Sequence, residues 1–250
     1  HIITYILPKQ PLPAPVVPSS KIYANGGAFF RDAEDDPKGL HGVLYNIRSQ
    51  FEGHTHYETN GLALSALGNR LLVNGGRLGP TVQAAPLNNT LAINGENHAS
   101  KLGGGLTGGF VSDQLDFASG IAGPALEGSA HTRSLLMLRS TAGTRGYFIV
   151  LDEVETQAGN TINMYLHPAC QTDIVETAAN REYDAPIDLY PTVRGASIAI
   201  YYAAAPDKVN IEKVLSAVPR TYPNYPLHCR IEAIYNAGPD GKRSLASILY

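Results

Sequence analysis

Short apolar or alternating runs, each closed by glycine, asparagine or aspartate, constrain this chain more than any other feature. Segments 42–50 (GVLYNIRSQ), 62–68 (LALSALG), 69–76 (NRLLVNGG) and 89–95 (NTLAING) form a first group. Segments 133–140 (RSLLMLRS), 146–155 (GYFIVLDEVE), 161–167 (TINMYLH), 196–203 (ASIAIYYA) and 228–236 (HCRIEAIYN) form a second. Runs this short are strand-sized, and their β-branched and aromatic content fits a pleated, half-buried surface. Many recur at intervals of about ten residues, which predicts an all-β sandwich or barrel.

Composition agrees. Gly 25, Pro 17 and Tyr 14 in 250 residues supply many turns and many strand-favouring aromatics. The hydrophobic fraction, 44%, is enough for a sizeable core. A net charge of −3 and only 16% charged residues leave no basic stripe, which argues against nucleic acid as a partner. No apolar run is long enough to read as a transmembrane span.

Five prolines within 8–18 (PKQPLPAPVVP) exclude a helix interior, so residues 1–19 are read as an extended linker arriving from something upstream. Residues 20–250 are read as one β-sandwich domain. The start lacks the pattern of a secretory leader, and the end (SLASILY) reads as a strand; both suggest a piece of something longer. The glycine-rich 95–109 is expected to be a loop. Segment 206–218 (PDKVNIEKVLSAV) fits a short helix or an irregular edge. Cys170 and Cys229 are compatible with a disulfide or with two buried thiols.

The chemistry-bearing stretch is FEGHTHYETN (51–60). In a strand, His54, His56, Glu58 and Asn60 would line one face. Imidazoles converging from a rigid element suit metal coordination or proton transfer. Alone, an H-x-H pair is more often structural.

Its context is more specific. Gly53, His54, His56, Glu58 and Asn60, followed by LLVNGG, resemble the G-H-x-H-x-D-x-N strand and VDPG-like turn of the heparinase II/III-like polysaccharide lyases. NNTLAINGENH (88–98) is similar to that family's H-N-T stretch. RSLLMLR (133–139), YFIVLDEVE (147–155) and YLH (165–167) match its later strands in order. The resemblance covers about residues 20–170. It implies the C-terminal part of such a lyase, a large two-sheet antiparallel β-sandwich, with the family's N-terminal (α/α) toroid expected upstream.

The resemblance further implies β-elimination on a uronic-acid polysaccharide of the alginate or glycosaminoglycan type, and a periplasmic or secreted location. Carried over by position, His54 is the catalytic histidine. Asn60, Arg133 and Arg139 are expected to contact substrate, although an internal pair with Asp152 or Glu153 is the simpler role for the arginines. The family's zinc ligands fall on His56, Asn74 and Asn88. Two of these are neutral amides, poor zinc ligands, so zinc is expected to be weakly held or absent, unless Glu58 or His98 joins a shifted set. Without metal, Asn74 and Asn88 are expected to tie the same turns by hydrogen bonds. His131 and His167 are read as structural, Tyr57 as a packing residue and Tyr147 as core. A homodimer is compatible with the sequence. Two other readings stand beside the lyase: a noncatalytic carbohydrate-binding or structural module, and, more weakly, a metal-dependent hydrolase.

Overall fold

The structure, a computed structural model, describes residues 19–32, 36, 38–49, 55–74, 83–141, 145–215 and 226–250. Among them every regular element is a strand, apart from short 3-10 turns at Ala85–Leu87 and Gly123–Ala125. The proline-rich 1–18 and His54 lie outside the described residues.

Strands β1 (Lys21–Tyr23), β2 (Gly27–Arg31), β3 (His41–Tyr45), β4 (Gly61–Ala66) and β5 (Asn69–Arg70) form a five-stranded antiparallel meander in chain order. β6 (Leu91–Ile93) and β11 (Thr161–Leu166) pair with β16 (Leu227–Asn236) and β15 (Lys208–Leu215) in a four-stranded sheet, order β15-β16-β11-β6. The large sheet uses β7 (Gly105–Val111), β8 (Leu115–Ile121), β9 (Ala130–Leu138), β10 (Tyr147–Glu155), β12 (Val175–Ala178), β13 (Glu182–Pro186), β14 (Ser197–Tyr202) and β17 (Lys242–Leu249). Its order is β12-β13-β14-β17-β10-β9-β8-β7.

The five- and four-stranded sheets are stitched edge to edge. The Leu62 amide donates to the Asn89 carbonyl at 3.0 Å, and Leu72 bridges Pro168. Together they make one layer, and the eight-stranded sheet makes the other. The expected sandwich is therefore present, with one layer split in two. The core between the layers follows the strand period of two. On β9, His131, Arg133, Leu135 and Met137 are buried; on β10, Phe148, Val150, Asp152 and Val154.

Three expectations change. The glycine-rich 95–109 is a loop only as far as residue 104; from Gly105 it is strand β7, at the sheet edge. Segment 206–218 is not a helix where described: from Lys208 to Leu215 it is β15, at the sheet edge as one reading had it, but regular and fully paired with β16. Tyr147 sits on the outer face of β10, and its neighbour Phe148 takes the core position.

Candidate functional site

Residues 55–60 are not a strand. The Gly61 amide donates to the Glu58 carbonyl at 2.8 Å and closes a turn, with Asn60 in the left-handed region at φ 56°. An asparagine tolerates that conformation better than most side chains, and an Asn-Gly pair favours a turn. The alternation expected of His54, His56, Glu58 and Asn60 therefore does not apply. The turn still sends His56 and Asn60 inward, but to different depths.

The outer depth is a set of amides and a carboxyl. His56 is 8% exposed, and its Nδ1 lies 2.9 Å from Asn88 Oδ1. Asn88 donates through Nδ2 to the Ala84 carbonyl at 2.7 Å, which turns its oxygen toward the ring. His56 is thus the donor at Nδ1, and in the neutral ring Nε2 carries the lone pair. Asn74 donates to Glu58 Oε2 at 2.7 Å and accepts from Asn89 Nδ2 at 2.6 Å. Asn89 also donates to the Val73 carbonyl and accepts the His167 amide at 2.7 Å. Asn74 and Asn88 hold these turns by hydrogen bonds.

Burial pushes the Glu58 carboxyl up to about 7, and burial with the nearby Glu58 charge pushes Tyr45 up to about 12. A carboxyl titrating near neutrality can take or give a proton. Lys101 lies over the Tyr57 ring, 5.1 Å from its centre, and donates to Gln83 Oε1 at 2.9 Å. Tyr57 is partly exposed, so it packs against a cation rather than the core.

The inner depth is a saturated polar layer between the sheets. Arg133 is fully buried; its Nε donates to Asp152 Oδ1 at 2.7 Å and its Nη2 to Oδ2 at 3.1 Å. Its Nη1 reaches the carbonyls of Asn60 and Asn89 at 2.9 and 3.3 Å. His131 Nε2 shares Asp152 Oδ1 at 2.7 Å, and its Nδ1 faces Asn60 Nδ2 at 3.4 Å. Burial lowers the His131 pKa, outweighing the pull of Asp152. Burial alone would raise Asp152, but Arg133 and His131 hold it down at about 2.

Asn46 completes the layer, donating to Asn60 Oδ1 at 2.7 Å and accepting from the Gly105 amide at 2.9 Å. Two glycines make room for it. A Cβ on Gly103 would run into the Asn46 amide, and one on Gly120 would stand 2.7 Å from Asn60 Oδ1.

These placements revise several expected roles. Asn60 and Arg133 are wholly enclosed and occupied by protein partners, which does not fit direct contact with substrate. Arg133 does pair with Asp152. Arg139 pairs instead with Asp116, at 2.9–3.0 Å, and caps the carbonyls of Arg31 and Asp32. His98 is buried, with Nε2 donating to the Leu91 carbonyl at 2.7 Å; its Nδ1 has no partner among the described residues, and no group of ligands gathers around it. His56 and Asn88 touch directly, and Asn74 faces Glu58 and Asn89; this arrangement of one imidazole and two amides does not fit zinc. Among the described residues no group of three or more His, Cys, Asp or Glu is placed to hold a metal.

Sequence reasoning missed Asn46, Asn89 and His228. Asn89 was signalled only as the middle of N-N-T. His228 Nε2 lies 2.8 Å from His167 Nδ1, while His167 Nε2 donates to the Pro86 carbonyl at 3.1 Å. His167 must then accept at Nδ1, so His228 donates, and its own Nδ1 is buried without a partner among the described residues.

The chain is similar to heparan sulfate lyase HepC from Pedobacter heparinus, with TM-score 0.74 and 18% identity over 93% of this chain and 36% of that one. It is similar to a heparinase III with TM-score 0.74 and 13% identity over 95% of this chain and 37% of that one. A 4-alpha-glucanotransferase from Thermococcus litoralis shares the fold more loosely, with TM-score 0.52 and 10% identity over 93% of this chain and 39% of that one. No family model matches the sequence, and no curated protein matches it. The resemblance to the β-sandwich part of the heparinase II/III-like lyases thus holds in the fold, and the chain spans little more than a third of those lyases' length. No helix among the described residues is long and apolar enough to cross a membrane.

Proposed function

We propose that this chain is the C-terminal β-sandwich portion of a polysaccharide lyase that cleaves a uronic-acid-containing polysaccharide by β-elimination. The observation that carries the reading is the match in fold, over nearly the whole chain, to lyases of heparin-type glycans. It is joined by the polar turn at 55–60, where the sequence resemblance puts the family's histidine strand. An N-terminal helical toroid of the same protein supplies the rest of the cleft, and the protein works in the periplasm or outside the cell.

In β-elimination a base removes the proton at C5, α to the carboxylate, and the sugar linked at O4 departs. The charge that develops on the carboxylate needs hydrogen-bond donors or cations. His54 is the sandwich's contribution to that chemistry, as proton acceptor or as the imidazolium that neutralises the carboxylate. His56, held by Asn88, fixes the chain two residues further on. Glu58, poised near neutrality and held by Asn74, is a titrating group of the turn that follows in the chain.

The test is incubation of the full-length protein with a panel of alginate, heparan sulfate and other uronic-acid polymers, following absorbance of the new C4–C5 double bond. Appearance of unsaturated products on at least one polymer supports the reading; none on any acidic glycan overturns it. A second reading, a noncatalytic carbohydrate-binding or structural module, draws on the enclosure of Asn60 and Arg133 by protein partners. It expects glycan retention without unsaturated product.

A further inference from the structure

The two cysteines come from distant parts of the chain and meet. Cys170 follows β11, and Cys229 is the third residue of β16. The Cys229 amide donates to the Cys170 carbonyl at 2.7 Å, which sets the two backbones at strand-pairing distance, about 5–6 Å between Cα atoms. A disulfide spans that distance without moving the chain. The sulfurs stand 3.5 Å apart as free thiols, and both residues are buried.

The surroundings favour a thiolate at one sulfur. Lys213 Nζ lies 3.2 Å from Cys229 Sγ and also meets the carbonyls of Gln171 and Thr172. The Cys229 thiol is pulled down to about 7, first by its side-chain interaction with Cys170 and then by Lys213, while the Cys170 thiol is pushed up. The cover is thin: Thr172 and Asp173 are exposed, and the Thr172 carbonyl touches both sulfurs at 3.0–3.4 Å.

We propose that Cys170 and Cys229 form a thiol–disulfide site whose co-substrate is a disulfide, and that oxidation cross-links β16 to the segment that follows β11. The Cys229 thiolate attacks one sulfur of the incoming disulfide and expels its other half as a thiolate. The Cys170 thiolate then attacks Cys229 Sγ and expels the second half. Two electrons leave the cysteine pair, and their two protons end on the two thiols released. The segment so anchored supports the proposed site. The Ala169 amide donates to the Leu71 carbonyl, Pro168 bridges Leu72, and the His167 carbonyl accepts the Val73 amide next to Asn74. The cross-link is independent of what the site binds.

The experiment is to reduce and unfold the full chain, refold it in a buffer of oxidised and reduced glutathione, quench with acid, alkylate and map peptides by mass spectrometry. The expected result is neither cysteine alkylated, a linked peptide pair joining residues 170 and 229, and a Tm roughly 5–15 °C above that of the dithiothreitol-treated protein. Recovery of folded protein with both thiols alkylated, or with glutathione still attached to Cys229, overturns the proposal. Because the readout is thiol state and melting, it stands or falls apart from any lyase activity.

Discussion

Two polar regions lie within a few residues of each other and are built on opposite terms. The inner one, Asn46–Asn60–His131–Asp152–Arg133, is enclosed, and almost every donor in it meets an acceptor. The outer one, His56–Asn88 and Glu58–Asn74–Asn89, reaches the surface only at the half-buried Glu58 and Asn74, and holds a carboxyl that titrates near neutrality. Saturation without water makes a polar group into scaffold, because nothing is left over to bind. A site needs the reverse: groups held in place on one side with a proton or lone pair unspent on the other. By that measure the inner layer aligns the two sheets, and the outer turn is where chemistry fits.

The sharpest way to break the comparison is Asp152→Ala. It strands Arg133 and His131 in the core, and removing one partner of a buried ion pair costs about 3–5 kcal/mol. Urea unfolding should show that loss or no folded protein at all; a loss below about 1 kcal/mol would mean that the inner layer is not the scaffold described.

Acid should separate the regions next. Burial lowers His98 and His228 to about 4, and lowers His131 and, furthest, His167. Between about pH 6.5 and pH 4 the unfolded chain binds protons on these rings that the folded chain refuses, so stability falls as pH falls through that window. His98 and His228 each contribute at most about 3 kcal/mol. Glu58 runs the other way: its folded value near 7 adds stability below about pH 4.5 and loses it as pH rises through 7. The measured Tm should therefore drop from pH 6.5 to 4, and Glu58→Gln, which removes an opposing slope between about pH 4.5 and 7, should make that drop steeper. A Tm constant from pH 7 to 4 would contradict the buried neutral histidines.

For activity, His54→Ala in the full-length protein should lower kcat by about 10²-fold or more, the lower end for losing an acid–base group. Its Tm should stay nearly unchanged. Full turnover in that variant on every glycan the wild type degrades would remove catalysis from this turn and favour the binding module. The smallest effect belongs to His56→Ala, which loses the bond to Asn88. Stability should fall by about 1 kcal/mol, with activity declining only in proportion to folded protein. A kcat loss at full stability would move His56 from support to chemistry.

Much of the fold was legible because strand burial obeys a period of two. The inward positions of β9 and β10 follow from alternation alone, and that alternation brings Arg133 opposite Asp152. What alternation could not show was where a strand stops. Residues 54–60 look like a polar strand face until Asn60-Gly61 is taken as a turn, and the turn puts Asn60 in the interior. Gly105–Val111 was hidden because its glycines carry no apolar signal; two of them allow close approach, since a Cβ on Gly105 would strike the Ala24 carbonyl and one on Gly109 the Phe117 carbonyl. The Asn46–Asn60 contact depends on chain separation in space, through Gly103 and Gly120, and no local pattern encodes it.

The turn at Asn60-Gly61 has a consequence for how this protein ages. Asparagine followed by glycine is the dipeptide most prone to spontaneous deamidation, since the glycine amide nitrogen can attack the asparagine side chain and form a cyclic imide. Here that nitrogen is engaged with the Glu58 carbonyl, and the side chain is enclosed between Asn46 and His131. Folding stops the clock, and unfolding starts it. Protein stored in denaturant at mildly alkaline pH should gain about one mass unit at Asn60 while native protein does not, as peptide mapping by mass spectrometry would reveal. An aspartate so formed would put a new negative charge beside Asp152, in a layer with no cation left to receive it. A molecule that had once lingered unfolded would then be barred from refolding, and the batch would lose activity by chemistry rather than by aggregation.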